Sequence, residues 1–228
     1  MTGIDLEKHD YIRAFMSQRP VDFARAALIV ADMQYATGAR EGALGRKLRR
    51  EGSNVADYRF QRIESLVVPN TRRLLDAFHG KNGRVVYLTI GARRADAADA
   101  PPRMREFFRD LENYEGSPNH EIIEQLRPKP GDFVLNKTSI GAFASTGIDS
   151  LLRSLGCEQL YLCGGSTNMC VGTTAREAAD RGYLVTLVED ACGTTLAELH
   201  EATLTNFQRL FGRVRSIAEV LEEIASKH

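Results

Sequence analysis

The chain has 228 residues, of which 43% are hydrophobic and 26% are charged. Its 30 basic and 30 acidic residues give a formal net charge of zero, which argues against nucleic acid or another polyanion as a partner. No apolar run approaches the roughly 20 residues of a membrane span, and the N-terminal stretch has no apolar signal core. We therefore expect a cytoplasmic protein without a membrane partner, with an N-terminal extension over residues 1–25 and one domain over residues 26–228.

Five short runs rich in apolar and β-branched residues predict the strands of a sheet. They lie, in chain order, at residues 26–32, 84–90, 132–136, 159–164 and 184–190. The runs are nearly continuous, which is typical of strands that helices cover on both faces of a parallel sheet. Helices are predicted between and after them, at residues 69–83, 147–157, 168–183, 197–211 and 216–227. This alternation predicts βαβ units in a single α/β domain.

Two long stretches interrupt the alternation. Residues 36–58 are rich in glycine and arginine, and residues 91–117 follow the second predicted strand. Long irregular segments at the carboxyl ends of strands are where α/β folds place substrate contacts, so we interpret both as substrate-binding loops. The alternative is a surface insertion without a function. The helix over residues 69–83 should open at Pro69, because proline fits the first turn of a helix.

Cys170 follows a predicted strand and the turn Gly164-Gly165, which places it in the first turn of the next predicted helix. The unpaired N–H groups and the dipole at a helix start lower the pKa of a thiol and favour the nucleophilic thiolate. The backbone N–H groups of Met169 and Cys170 are then candidates for an oxyanion site. The alternative is a buried cysteine that only packs, which is the commoner role of this residue type.

Asp32 and Lys137 each follow a predicted strand, so a parallel sheet would bring both to the edge where Cys170 lies. A carboxylate directly after a buried strand is costly unless it is paired. An acid, a cation and a thiol together are the groups that thiol chemistry needs, because the cation stabilises the thiolate and the acid carries its proton. Taken singly, Asp32 is equally well interpreted as a turn residue, and Lys137 as a solvated loop residue.

The other cysteines and the histidines indicate no metal site. The four cysteines lack the CxxC spacing of a zinc site or a redox pair, and no two of the five histidines have metal-ligand spacing. Cys163 lies within a predicted strand and should be a buried, inert thiol. His200 is interpreted as a packing or capping histidine, with a catalytic role as the alternative. We expect no cofactor.

Three stretches in order resemble the isochorismatase-like cysteine hydrolases: LIVADMQ at 28–34, NKTSIGAF at 136–143 and CGGSTNMCVGTTAREAADRGY at 163–183. The resemblance runs from about residue 26 to residue 225. It implies a three-layer, doubly wound α/β fold whose mostly parallel six-stranded sheet has the order 3-2-1-4-5-6. The sequence does not locate one of the six strands. In that order the first and fourth strands meet at the switch point where such sheets bind ligands.

The resemblance also implies an Asp–Lys–Cys catalytic triad, which maps onto Asp32, Lys137 and Cys170. A cis peptide bond is implied between Gly165 and Ser166. The matching mechanism is hydrolysis through a thioester, in which Asp32 takes the thiol proton as Cys170 attacks an amide carbonyl. The N–H groups at the helix start hold the oxyanion in this mechanism.

Departures from the family patterns narrow the expected function. The segment TIGARRADAADAPP (89–102) has no histidine, whereas nicotinamidases carry a zinc site there, so we expect neither a metal nor nicotinamidase activity. Isochorismatases proper lack the nucleophilic cysteine, which argues against vinyl-ether hydrolysis. We expect hydrolysis of a C–N bond in a small linear amide or ureide, such as a carbamoyl, ureido or biuret-like compound. The alternatives are another acyl substrate, namely an ester or a cyclic amide, and a non-catalytic binding protein with the same fold.

Four residues are candidates for contacts with the substrate: Gln34, Tyr35, Arg40 and Thr167. Tyr35 stands three residues after the expected base, and the planar guanidinium of Arg40 could hold an anionic group. The partner is expected to be a small molecule. The family resemblance and the neutral net charge predict a homo-oligomer, either a dimer or a tetramer.

Overall fold

The computed structural model describes residues 11–12 and 22–226, which contain a six-stranded sheet. The strands are β1 Ala26–Ala31, β2 Arg84–Ile90, β3 Phe133–Lys137, β4 Gln159–Gly165, β5 Leu184–Gly193 and β6 Arg213–Arg215. Their order is β3-β2-β1-β4-β5-β6, and every pairing is parallel. The predicted fold class and strand order are confirmed.

Helices cover both faces of the sheet. They are α1 Tyr35–Gly38, α2 Ala43–Arg50, α3 Asp57–Arg62, α4 Val68–Gly80, α5 Pro102–Asp110, α6 Ile148–Ser154, α7 Gly172–Asp180, α8 Ala197–Leu210 and α9 Ile217–Ala225. Two π-helical turns, Ile63–Val67 and Thr167–Val171, precede α4 and α7. In the described part of the chain, no helix is long and apolar enough to cross a membrane. Most of the predicted extension over residues 1–25 lies outside the described residues.

The nearly continuous apolar runs reflect two separate cores. Side chains alternate across a strand, so in β1 Leu28 faces one layer and Ile29 faces the other. Leu28 packs in a cluster with Phe78 of α4, while Ile29 packs in a cluster with Phe207 of α8. All six residues of β1 are fully buried, and burying one large aliphatic side chain contributes about 1.5–3 kcal/mol. The central strand is therefore held from both sides, and its carboxyl end is fixed in place.

The strand that the sequence did not locate is β6. It has three half-buried residues with the sequence Arg-Val-Arg, so no apolar run marks it. Its register is supported by Arg213, whose Nη2 donates to Thr186 Oγ1 on β5 at 2.9 Å and whose Nη1 donates to Glu223 Oε1 at 2.7 Å. Hydrogen bonds of the Arg213 side chain therefore hold β6 in place, and no apolar run in the sequence marks the strand.

The expectation that residues 36–58 and 91–117 are irregular was wrong in part. The first stretch contains α1, α2 and the start of α3, and the second contains α5. Glycine, which indicated a loop, is required here by close packing. A Cβ at Gly45 would lie 1.9 Å from the carbonyl oxygen of Arg40, and one at Gly42 would lie 1.5 Å from that of Tyr35.

Pro69 lies in the first turn of α4, as predicted, but the chain is already helical from Asp57 and continues to Gly80 without a break. The N–H of Val68 donates to the carbonyl of Ile63, five residues earlier, in the manner of a π-helix. Proline lacks the N–H that an ordinary α-helical turn needs, and the wider turn just before Pro69 accommodates it.

We expect Gly45→Ala to lower the free energy of unfolding by about 3 kcal/mol, because the added methyl group meets backbone that cannot move aside cheaply. Gly80→Ala is the matched control, since a Cβ there has open space around it and the change should be within about 0.5 kcal/mol of neutral. Urea unfolding followed by circular dichroism measures both. Equal effects of the two substitutions would contradict the packing role of Gly45.

Candidate active site

Asp32 lies where the chain leaves the carboxyl end of β1. Its φ is 54°, in the left-handed region that residues other than glycine seldom occupy. Its backbone N–H donates to the carbonyl of Leu88 on β2 at 2.8 Å, which holds this turn against the sheet. The side chain is 3% exposed, and its Oδ1 accepts no hydrogen bond from any described residue. A buried carboxylate oxygen is therefore left available for another proton.

Lys137 is the last residue of β3 and is completely buried. Because β2 lies between β3 and β1, the lysine side chain reaches across one strand to the aspartate. Its Nζ donates to Asp32 Oδ2 at 2.8 Å and to the carbonyl of Ser139 at 3.3 Å. The structure thus brings the predicted acid and the predicted cation into a buried ion pair.

The loop after Lys137 is tied to the helix that follows Cys170. On α7, Glu177 Oε2 accepts the N–H of Phe143 at 3.0 Å, and Thr174 Oγ1 accepts the N–H of Ala142 at 3.2 Å. The carbonyl of Ser139 that contacts the lysine belongs to the same loop. These bonds fix the position of the ion pair relative to the cysteine.

Cys170 is 6% exposed and lies in the π-helical turn between β4 and α7. The N–H groups of Val171 and Met169 both donate to the carbonyl of Ser166, at 3.2 and 3.0 Å. The helix start is therefore not the simple open turn that the sequence predicted. The N–H of Met169, one of the two predicted oxyanion donors, is already engaged, because the π-helical turn supplies an acceptor for it.

The turn before Cys170 requires glycine. The Gly165–Ser166 peptide bond is cis, and Gly164 has a φ of 107°. A Cβ at Gly164 would lie 2.1 Å from the carbonyl oxygen of Ala31, so the backbone of β4 passes close to β1 just before Asp32. This close approach brings the turn that carries Cys170 beside the aspartate.

The pKa of the Cys170 thiol is raised to about 12, first by burial and then by the charge of Asp32, which the charge of Lys137 offsets only in part. The sequence predicted a lowered pKa from the helix start, whereas burial and the Asp32 carboxylate raise it. The cysteine therefore rests as a thiol that feels the charges of both partners.

The two charged partners are also shifted. Burial raises the pKa of Asp32 above its ordinary value, and the charge of Lys137 offsets this only in part. Burial acts to lower the pKa of Lys137, but the charges of Asp32 and Cys170 outweigh it and raise that pKa. The lysine stays cationic, and the aspartate is a stronger base than a solvated carboxylate. Such an arrangement can remove a proton from the thiol only when the thiol reacts.

Of the predicted substrate contacts, Gln34 makes its hydrogen bonds within the protein. Its Oε1 accepts the N–H of Ile90 at 2.7 Å, and its Nε2 donates to the carbonyl of His120 at 2.7 Å. The side chain is 1% exposed, and Asn113 Oδ1 lies 3.4 Å from the same Nε2. Gln34 therefore joins β2 to the segment around His120.

Tyr35 and Arg40 also have partners within the protein. Tyr35 lines a cavity of about 740 Å³ that none of the three triad candidates lines, and its hydroxyl accepts the N–H of Glu124 at 3.2 Å. The guanidinium of Arg40 pairs with Glu64 and Asp57 at 3.0 and 3.3 Å. The charge of Arg40 is therefore neutralised on the surface.

Thr167 is fully buried and hydrogen-bonded to His200, so it supports the turn that carries Cys170. His200 Nε2 lies 2.9 Å from Nη2 of Arg62, and its Nδ1 lies 2.9 Å from Thr167 Oγ1. Since an arginine nitrogen can only donate, Nε2 accepts and Nδ1 carries the proton. Burial and the charge of Arg62 lower the pKa of His200 to about 4, which agrees with this neutral tautomer. His200 therefore serves as a neutral bridge from α3 to the turn that carries Cys170.

The sequence gave no signal for Arg59, which the structure places beside the same turn. Arg59 is 6% exposed; its Nη1 donates to Ser166 Oγ at 2.7 Å and its Nε donates to the carbonyl of Thr37 at 3.1 Å. The residue directly follows the stretch 36–58, which reads as an irregular loop, and the unbroken helix from α3 to α4 turns it toward the cysteine. Within residues 11–12 and 22–226, no three His, Cys, Asp or Glu side chains are grouped to hold a metal ion.

A family model described as Isochorismatase domain matches residues 26–219. The ureidoacrylate amidohydrolase RutB of Pantoea ananatis is 28% identical over 218 residues, which cover 89% of this chain and 83% of that protein.

Solved structures are similar over nearly the whole chain. A cysteine hydrolase from Pseudomonas syringae pv. phaseolicola has a TM-score of 0.77 and 28% identity, covering 92% of this chain and 96% of that one. An N-carbamoylsarcosine amidase from Thermoplasma acidophilum has a TM-score of 0.65 and 25% identity, covering 85% and 96%.

We expect Lys137→Met to lower the free energy of unfolding by about 3–5 kcal/mol, because it leaves the Asp32 carboxylate buried without its partner. The double variant Asp32→Asn/Lys137→Met should recover much of this loss, since no charge is then left unpaired. Lys47→Met, in the exposed pair with Glu51, is the control and should change stability by less than about 1 kcal/mol. Urea unfolding measures these free energies. A loss of stability in Lys137→Met no greater than in Lys47→Met would contradict a coupled buried pair.

Proposed function

This chain belongs to the isochorismatase family, and from that premise we propose that it is a cysteine-dependent amidohydrolase. The proposed reaction is hydrolysis of a C–N bond in a small linear amide or ureide through a thioester intermediate. The RutB relative is named as a ureidoacrylate amidohydrolase and the Thermoplasma neighbour as an N-carbamoylsarcosine amidase, and both names describe C–N cleavage in small molecules.

The observation that carries the proposal is the buried pair of Lys137 and Asp32 beside the thiol of Cys170. Asp32 Oδ2 is held by Lys137 at 2.8 Å, whereas Oδ1 has no partner among the described residues. An unpaired oxygen on a carboxylate with a raised pKa is suited to accept the thiol proton. The three residues therefore have the roles of base, electrostatic support and nucleophile.

In the proposed first half-reaction, Asp32 takes the proton from the Cys170 thiol while Sγ attacks the carbonyl carbon of the substrate. The carbonyl oxygen becomes an oxyanion, for which the N–H of Cys170 is the proposed donor, since that of Met169 is engaged with Ser166. The fixed charge of Lys137 lowers the energy of the anions that form in this buried site.

The first half-reaction ends when the C–N bond breaks and Asp32 returns its proton to the leaving nitrogen, which departs as ammonia or an amine. The second half-reaction is hydrolysis of the thioester. The acyl group stays on Sγ as a thioester. Asp32 then takes a proton from a water molecule that attacks the thioester, and the proton returns to Sγ as the acid product leaves. Asp32 thus acts alternately as base and acid, which a pKa above its ordinary value favours.

We expect Cys170→Ser to reduce ammonia release from small amides and ureides by about a thousandfold or more, because a hydroxyl is a much poorer nucleophile in this setting. Cys157→Ser, at the opposite end of β4, is the control and should retain near-normal activity. Ammonia release across a panel of amides, ureides and esters measures both. Full activity in Cys170→Ser would overturn the assignment of the nucleophile.

The dependence of kcat/KM on pH tests the role of Asp32. Because the base acts in its ionised form, activity should fall as the pH drops through its pKa, and burial moves this limb above the pH of about 4 at which a free aspartate titrates. The thiol pKa of about 12 predicts no rise in rate between pH 7 and 9 from thiolate formation. A rate that climbs through this range in both the wild type and Asp32→Asn would show that the thiolate forms without Asp32.

A further inference from the structure

The cavity of about 740 Å³ that Tyr35 lines is separate from the groups of the proposed reaction. Asn136 of β3 also lines it and directly precedes Lys137 in the strand. Successive side chains of a strand point to opposite faces of the sheet, so the cavity and the ion pair lie on opposite faces. The volume is that of a small-molecule site, and the proposed reaction gives this cavity no role.

A buried histidine nitrogen borders the cavity. His120 lines it and is 9% exposed. Its Nδ1 lies 3.0 Å from Asn113 Oδ1 and 3.1 Å from Gln34 Nε2, whereas its Nε2 has no hydrogen-bond partner among the described residues. Four buried polar side-chain atoms of the described residues are enclosed without a partner, and His120 Nε2 is not one of them. This nitrogen therefore borders accessible space, which the cavity provides.

The hydrogen bonds of Asn113 decide what His120 Nε2 can do. Asn113 Nδ2 donates to the carbonyl of Ile90 at 2.7 Å, which turns Oδ1 toward His120 Nδ1. Two acceptors repel each other at 3.0 Å, so Nδ1 carries the proton and Nε2 is an acceptor. Burial lowers the pKa of His120, and the charge of Glu115 offsets this only in part, so the imidazole is neutral near pH 7. The cavity is therefore offered a lone pair and not an N–H group.

The charged residues around the cavity have an excess of carboxylates. Glu115, Glu121 and Glu124 line it, and the cation among the lining residues is Arg127. Arg127 pairs with Glu124, which neutralises both charges. Glu115 accepts the Nδ2 of Asn136 at 2.9 Å through one oxygen, but neither Glu115 nor Glu121 forms an ion pair with a described residue. Two negative charges are thus left without a counter-charge.

We propose that this cavity is a second ligand site and that it binds a small organic cation with an ammonium group. An ammonium group has N–H donors and no acceptor, so it matches His120 Nε2 and the free carboxylate oxygens. An alkyl chain on the cation packs against Ile122 and against Val134, which is 49% exposed although it lies in a strand. The site goes beyond the proposed function, because none of the three triad candidates lines it.

An NMR titration of the full chain with n-butylammonium tests the proposal. We expect the ¹⁵N resonance of His120 Nε2 and the backbone amide of Ile122 to shift along one saturation curve. In Glu115→Gln/Glu121→Gln the Kd should rise about fivefold or more, because two charge-assisted contacts are weakened. Glutamine at position 115 keeps an oxygen for Asn136. The control Glu222→Gln, which changes an exposed acid of α9, should leave the Kd as it is.

Two further probes separate the charge from the N–H groups. n-Butanol has the chain without the charge, and butyltrimethylammonium has the charge without the N–H groups. Both should bind about fivefold or more weakly than n-butylammonium. Equal binding of n-butanol would show a purely apolar pocket, and equal binding of butyltrimethylammonium would show that no acceptor is used. Either result overturns the proposal.

Three other results would also overturn it. They are an unchanged Kd in the double variant, the absence of a saturable shift with n-butylammonium, and an Nε2 resonance in the free protein that belongs to a protonated nitrogen. None of these measurements requires hydrolysis. The proposed function therefore stands or falls independently of this site.

Discussion

The ion pair between Lys137 and Asp32 is the interaction on which the arrangement of the site depends. Both side chains are almost completely removed from water, so neither charge is tolerable without the other. The pair can form only if β3, β2 and β1 lie side by side with their carboxyl ends level, which the parallel register provides. Three strands and two loops are therefore constrained by one contact, and the same contact limits how far burial raises the pKa of the aspartate.

The sequence predicts those parts of the molecule that are fixed by burial on both faces. β1 reads as a continuous apolar run because Leu28 and Ile29 enter different cores, and the polar residues that directly follow such runs stand out for that reason. The same logic located Asp32, Lys137 and Cys170 at one edge of the sheet. It could not locate β6, whose pairing relies on the guanidinium of Arg213.

Features that arise from packing between distant segments were beyond the sequence. The pKa of Cys170 is raised by burial and by Asp32, neither of which a local helix-start pattern reveals. Glycines at 42 and 45 suggested a loop, although a tight helix contact requires them. Arg59 is separated from Ser166 by 107 positions in the chain, so no local pattern marks their hydrogen bond. The sequence thus predicts the three chemical groups of the candidate site, but it does not predict the residues from distant segments that pack around them.

The central position of β1 has a consequence for the synthesis of the protein. One edge of β1 pairs with β2 soon after both have emerged, but the other edge pairs with β4, whose residues 159–165 come more than a hundred positions later. At ordinary translation rates this interval is on the order of ten seconds. During that time a wholly apolar strand has an open edge that is available for pairing with other chains. The α3–α4 helix, the first long element to emerge after β1, covers one face of the strand but leaves this edge open until β4 arrives.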